Sequence, residues 1–375
     1  MDYRFRKIIY CEMQFLKELS KNINGSSTII VSSYQETKVW QSIYNLLLNA
    51  VIELHLDISL EENVAVNHEI ESSVKKNAKK GSDNTAYESI LYSCYNNQKR
   101  VHLKCDHHPL SQITRCESLN PDAIYLTMLN KQDFRNLSEK KGILIISPDN
   151  IQEFIPLLND SGLSIVKNDS GTWGQILRRC RAVPCNRITI VDNYILSKAE
   201  SFEKNLKPIL ESLLPENAEH IFPVEIYSTL MNVSVSDRNL IPVDFYDTWK
   251  NITDIIRNIK RAYSISLCVV KYSHKNKPFH DRTIFTNNLW IGSGAGFDLF
   301  RHDDIAINST VLNIVSPFLN DTIQWAFDAY GNLHEEAERQ KRKHPDHDDL
   351  LSRDTKNLRT GMNYKRIGII TPKTT

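Results

Sequence analysis

The residues best equipped for chemistry lie between Pro278 and Phe300, in PFHDRTIFTNNLWIGSGAGFDLF. His280 brings an imidazole able to attack or to carry a proton, and Arg282 a planar cation that can hold a phosphate through two oxygens at once. Asp281 stands between them. Further on, Gly292-Ser293-Gly294-Ala295-Gly296 places three of the chain's twelve glycines within five positions. Glycine at that density means backbone passing close to a neighbour or adopting positive φ. A histidine, a cation and a close-approach turn within one stretch mark a candidate site.

Such a site needs a scaffold, and the surrounding sequence reads as alternating strands and helices. After Cys185, a strand at 187–192 (RITIVD) leads to a helix at 201–214 with Phe202, Leu206, Ile209, Leu210 and Leu213 on one face. A strand at 221–227, a helix at 246–261, a strand at 264–272 (SISLCVVKY), a strand at 282–286, the glycine turn and a strand at 310–315 follow. Asp192 and Tyr194 fall at the carboxyl end of a predicted strand, where ligand sites of α/β folds open. Residues 319–343 read as a long charged helix. The remainder reads as a solvated tail, within which 366–370 has the composition of a docking strand.

The first half is also α/β. Ile8, Ile9, Met13, Phe15, Leu16 and Leu19 predict a helix over 5–22, stopped at Asn24-Gly25, and 27–33 is a short β-rich run. The apolar stretch 38–58 predicts a helix with strand as the alternative, and 60–84 a polar connection. A helix at 85–98, a strand at 122–127, a polar helix near 131–140, a strand at 142–147, a helix beginning at Pro148 and a strand at 163–167 complete it. Buried strands separated by helices imply parallel pairing. The boundaries read as an α/β domain over 1–175, a second domain over 176–345 and a charged tail over 346–375.

The totals restrict the function classes. Length allows about two domains. Hydrophobic content of 41% and charged content of 24% are those of a globular chain, and a net charge of +1 means that any basic surface must be local. No apolar run approaches the roughly 18 residues of a membrane span, and the N-terminal stretch carries charges throughout, against a signal peptide. Seven scattered cysteines without a CxxC pair predict free thiols and a cytoplasmic location. No P-loop, dinucleotide fingerprint, Ser-His-Asp motif or EF-hand loop is present, and no cofactor is implied.

Taken together, Val191-Asp192-Asn193-Tyr194-Ile195, the strand PheProValGluIleTyrSer, the Val-Val-Lys-Tyr strand, His280-Asp281-Arg282, Asn287-Asn288-Leu289-Trp290 and Gly292 to Asp298 follow one family in order and spacing. Residues 185–315 resemble the phospholipase D-like C-terminal domain of eukaryotic MIT-domain-containing proteins and its prokaryotic relatives. The resemblance implies a phospholipase D-like α/β/α fold. The eukaryotic member is understood to bind acidic phospholipid and to act with the ESCRT machinery. Residues 1–90 do not read as its three-helix bundle, so that partner role does not carry over.

Active phospholipase D enzymes and their nuclease relatives use His-x-Lys-x4-Asp followed by a Gly-Ser turn. That spacing implies His280 as nucleophile, Arg282 as the phosphate clamp, Asn287 in the acidic position, and Gly292, Ser293 and Gly294 against the phosphate, with Asp192, Tyr194, Asp281 and Asp298 in support. Asparagine cannot ionise, so the acid is lost while the grip remains. Two half-sites normally make one active site, so catalysis would need a homodimer pairing two copies of His280. Three readings stay open: phosphodiester chemistry of nuclease type, as in an effector of prokaryotic antiviral defence; binding of nucleic acid, phospholipid headgroup or a protein without chemistry, phospholipid being the lesser candidate; and a structural role in which His280 and Arg282 pair with Asp192 or Asp298.

Other constellations are weaker. Cys94, His102, Cys105, His107, His108 and Cys116 lack the tight pairs of a zinc site, so no metal is assigned. Arg178, Arg179 and Arg181 form the basic group best placed to meet nucleic-acid phosphates.

Overall fold

The computed structural model describes residues 7–24, 33–58, 60–77, 85–96, 101–105, 119–158, 162–196, 199–229, 231–233, 240–242, 245–271, 282–301, 303–316 and 364–373, with short pieces between 332 and 342. His280 and Asp281 lie outside the described residues, as do His107, His108, Cys116, nearly all of 27–33 and most of 319–343. The protein is a mixed α/β chain of two compact units. The first comprises 1–138, 143–159 and 316–329, and the second 139–142, 160–315 and 330–375. The division thus falls near residue 160, ahead of the expected 175.

The first unit is built on five parallel strands in the order β3-β2-β1-β4-β5: β1 (Lys7–Glu12), β2 (Ile52–Asp57), β3 (Val101–Cys105), β4 (Ile124–Leu126) and β5 (Leu144–Ile146). The helix expected over 5–22 is instead β1 followed at once by α1 (Met13–Asn24). Ile9 and Cys11 are buried at period two, then Phe15, Leu16 and Leu19 at helical spacing; the two stripes abut and look continuous in one dimension. The stretch 38–58 contains both of its alternatives, α2 (Ser33–Asn49) and β2. The expected connection at 60–84 begins as α3 (Leu60–Asn77), whose Glu61 and Glu62 suit the positive end of the helix dipole. α4 (Ala86–Asn96) and α5 (Lys131–Lys141) follow, and a 3-10 turn at Pro148–Phe154 runs into α6 (Ile155–Leu158).

The second unit is built on one mixed eight-stranded sheet, β15-β11-β8-β7-β12-β13-β14-β6. Its strands are β6 (Leu163–Ile165), β7 (Ile188–Val191), β8 (Phe222–Ser228), β11 (Ile265–Lys271), β12 (Arg282–Thr286), β13 (Trp290–Ser293), β14 (Thr310–Val315) and β15 (Tyr364–Ile370), with β9 (Met231–Val233) and β10 (Leu240–Pro242) pairing separately. β7, β8 and β11 run parallel, joined by helical crossovers: α8 (Ala199–Ser201), a π turn at Phe202–Leu206 and α9 (Lys207–Leu213) make one continuous helix, and α10 (Phe245–Asn258) the next. The remaining pairings are antiparallel.

One placement differs from expectation: β6 pairs with β14, so it belongs to the second sheet and is antiparallel. The docking strand expected at 366–370 forms as β15, starting earlier at Tyr364 and lying along all seven residues of β11, within the stretch otherwise expected as tail. Ahead of β7, α7 (Trp173–Ile176) and a 3-10 helix at Leu177–Ala182 pack against α9.

A candidate phosphate site at the carboxyl edge of the second sheet

β7 ends at Val191 on the edge where the parallel strands finish. β12 is antiparallel to β7, with Thr283 opposite Val191, so Arg282 begins its strand at that same edge. β13 returns beside it with Ser293 opposite Arg282. Strand direction and register therefore bring together Asp192, Arg282 and the glycine turn, residues that are far apart in sequence.

Asp192 is the centre of this edge. Its side chain is buried. Oδ1 accepts from the backbone N–H of Tyr194 at 2.6 Å and of Ile195 at 3.0 Å, and Oδ2 from that of Phe297 at 2.6 Å. One carboxylate thus closes the turn after β7 and ties it to the loop after β13. Burial pushes the carboxyl above its ordinary range, while the N–H donors of Tyr194, Phe297 and Ile195 and the Arg282 guanidinium oppose that rise.

Arg282 is half-buried. Its Nη1 donates to the Gly294 carbonyl at 2.5 Å, and its guanidinium lies 5.8 Å from the centre of the Tyr194 ring. Its Nε is buried with no hydrogen-bond partner among the described residues. Gly296 explains how the cation comes so near the carboxylate. It has φ +93°, and a Cβ there would stand 2.6 Å from Asp192 Oδ2 and 2.9 Å from Arg282 Cδ. Only glycine allows that approach. Ser293 Oγ donates to the Gly296 carbonyl at 2.6 Å, and Ala295 N–H donates to Thr310 Oγ1 at 3.0 Å, fixing the turn from both sides.

Gly292 and Ser293 belong to β13, so the turn proper is Gly294 to Gly296. Gly292 is small because a Cβ would meet the Trp290 ring at 2.8 Å. Asn287 does not stand beside Arg282. It lies beyond the far end of β12, about five residues or ~17 Å along the strand. There its Nδ2 donates to the Gly142 carbonyl at 3.0 Å and its Oδ1 accepts from Asn186 N–H at 3.0 Å. It serves as a buried clamp on backbone, and the carboxylate beside Arg282 is that of Asp192. Asp298 is also engaged elsewhere, taking Arg301 through Nη1 at 2.6 Å and Nη2 at 3.0 Å. Neither residue reaches the guanidinium.

One residue that holds this edge went unnoticed in the sequence. Asn205, in the π turn, accepts on Oδ1 from Trp173 Nε1 (2.9 Å), Leu299 N–H (3.1 Å) and Phe300 N–H (2.9 Å). Its Nδ2 donates to Asp298 Oδ1 at 3.2 Å and the Phe300 carbonyl at 3.1 Å. It therefore anchors the segment that presents Phe297 N–H to Asp192. The signal was an asparagine on the buried stripe of Phe202, Leu206 and Ile209, where only a fully bonded polar group is tolerable.

Of the basic group, Arg178 and Arg181 are exposed on the 3-10 helix. Among the described residues no group of three or more His, Cys, Asp or Glu side chains is arranged to hold a metal ion, and no helix is long and apolar enough to cross a membrane. Comparison with protein-family models, curated proteins and solved structures returns no match for this chain.

Proposed function

We propose that the second unit is a phosphodiester-handling domain of the phospholipase D-like α/β/α kind, in which Arg282 takes the phosphate. The bracing of Arg282 carries this reading. A guanidinium at the carboxyl edge of an α/β sheet is set by a buried carboxylate, a carbonyl and an aromatic ring, and among the described residues it donates one hydrogen bond, from Nη1 to Gly294. A cation needed only for the fold would be expected to spend its donors on protein acceptors. Nucleic acid is the favoured ligand, since Arg178 and Arg181 add exposed positive charge on the same unit. The antiviral nuclease-type effector is the setting that suits this reading.

Hydrolysis is the second reading, favoured by Asp192. The carboxylate that spacing assigned to position 287 is supplied beside Arg282 from β7. In that form the His280 imidazole attacks phosphorus, the leaving alkoxide takes a proton from the His280 imidazolium of a second copy of the chain, and water, giving a proton back to that imidazole, then cleaves the phosphohistidine. Purified full-length chain is incubated with single- and double-stranded DNA and RNA and with a bis-nitrophenyl phosphate ester, beside His280→Ala and Arg282→Ala. Turnover abolished in His280→Ala supports hydrolysis. Binding without turnover, lost in Arg282→Ala, supports the grip alone. Cleavage and binding unchanged in both variants would refute the site.

A further inference from the structure

The turn that follows β7 keeps one large aromatic side chain at the surface. Val191, Asp192, Asn193, Ile195 and Leu196 are all buried, and within 191–196 only Tyr194 is part-exposed. The turn is pinned in that arrangement. Asp192 Oδ1 bonds the N–H groups of Tyr194 and Ile195, and the Asn193 carbonyl accepts from Ser228 Oγ at 3.3 Å and Thr229 Oγ1 at 2.8 Å. A half-exposed tyrosine by itself would be ordinary. This one is held on a rigid loop beside the proposed phosphate grip, where binding residues gather.

The Arg282 guanidinium lies 5.8 Å from the centre of the Tyr194 ring. Its Nη1 meets the carbonyl of Gly294, a residue that is itself exposed, so this cation sits at the surface and not under it. The turn it touches, Gly294-Ala295-Gly296, carries no side chain larger than a methyl group. That turn presents backbone instead of bulk to anything that settles on the guanidinium. A ligand here therefore meets a cation and an aromatic ring side by side, each fixed by the buried Asp192 carboxylate.

A cation beside a ring suits the two ends of one nucleotide, whose phosphate and base are separated by a single sugar. Stacking of a base on an aromatic side chain strengthens binding roughly five- to a hundredfold, and it tolerates any base because every base has a π-face. Pairing removes that option, since each base of a duplex is covered above and below by its neighbours. A guanidinium acting alone favours the duplex, where charge is densest, about one per 1.7 Å of helix axis. A ring acting with it reverses that preference toward single strands. A lipid phosphodiester offers no flat face to the ring at all.

We infer, resting on the proposed Arg282 grip, that this edge takes single-stranded nucleic acid, with the base of the gripped nucleotide stacked on Tyr194. The test is fluorescence anisotropy of the full-length chain with a labelled oligothymidylate, an abasic deoxyribose-phosphate oligomer and a duplex, all of one length and at matched salt. The wild type binds the oligothymidylate at least fivefold more tightly than either other probe. Tyr194→Leu reduces that preference to within twofold and leaves abasic binding unchanged, which also reports a folded site. Tyr194→Phe, which keeps the ring and loses the hydroxyl, keeps the preference. Arg282→Ala weakens the oligothymidylate and the abasic oligomer alike. The stacking role is overturned if the wild type binds the abasic oligomer or the duplex as tightly as the oligothymidylate, a comparison that needs no variant. It is also overturned if Tyr194→Leu keeps the preference, if a folded Tyr194→Leu weakens both oligomers equally, as a ring that merely sets the guanidinium would, or if Tyr194→Phe loses the preference. Arg282→Ala without effect on either oligomer overturns the phosphate grip itself, and this inference with it.

Discussion

Asp192 does two jobs with one carboxylate, bonding three backbone N–H groups and facing Arg282. Asp192→Ala strands those donors in a buried site and leaves the guanidinium without its counter-charge. The second unit should lose about 3 kcal/mol, measurable by urea unfolding, with Asp192→Asn losing less because it keeps an acceptor. Gly296→Ala meets both the positive φ and the close contacts with Asp192 and Arg282, and should cost about 2 kcal/mol. Arg282→Ala should fold normally, since among the described residues the guanidinium makes a single hydrogen bond, to Gly294. The presence of Asp192, Arg282 and the glycine turn at one edge was readable, because strand ends and glycine spacing are local properties. The identity of the carboxylate was not. Spacing along one strand pointed to position 287, whereas the register of β7 against β12 decides which acid is near. Register is a pairing between distant segments, and no linear motif encodes it.

At the level of elements, the continuous helix 199–213 positions the site through its π turn. That turn puts Asn205 among Trp173, Leu299 and Phe300, and so sets the loop that carries Phe297 N–H. Asn205→Ala should destabilise the second unit by about 2–3 kcal/mol, and should weaken phosphate binding as well, whereas Ser212→Ala on the same helix should do neither. Helices with one apolar face, such as α10, and largely apolar strands, such as β11, were legible because their patterns are short and uninterrupted. β1 and α1 were not separated, because two apolar stripes of different period meet without a break at Glu12 and Met13. The pairing of β6 with β14 was hidden for another reason. Three residues carry too little pattern to declare which sheet they join.

Across the whole molecule, the two units have separate sheets. The α/β class of both halves followed from alternation of strands and helices, while the boundary shifted to about residue 160 because β6 is claimed by the second sheet. Acid sensitivity should differ between the units. The hydrogen bond from Lys104 chiefly holds the Glu53 carboxyl down from 4.5 to about 2. A carboxyl depressed by folding stabilises the folded form above its unfolded value and loses that contribution as pH falls through the folded one. The first unit should therefore lose stability on acidification from about pH 4.5 to about pH 2, and Glu53→Gln should flatten that slope in chemical denaturation across the range.

The proposed phosphate grip of Arg282, at the edge set by Asp192, should be visible in binding. Fluorescence anisotropy of a labelled single-stranded oligonucleotide, titrated with wild-type chain and with Arg282→Ala at matched salt, addresses it directly. Saturable binding by the wild type is expected, with at least a tenfold weaker Kd in the variant and unchanged circular dichroism. Equal affinity in the two proteins would contradict it.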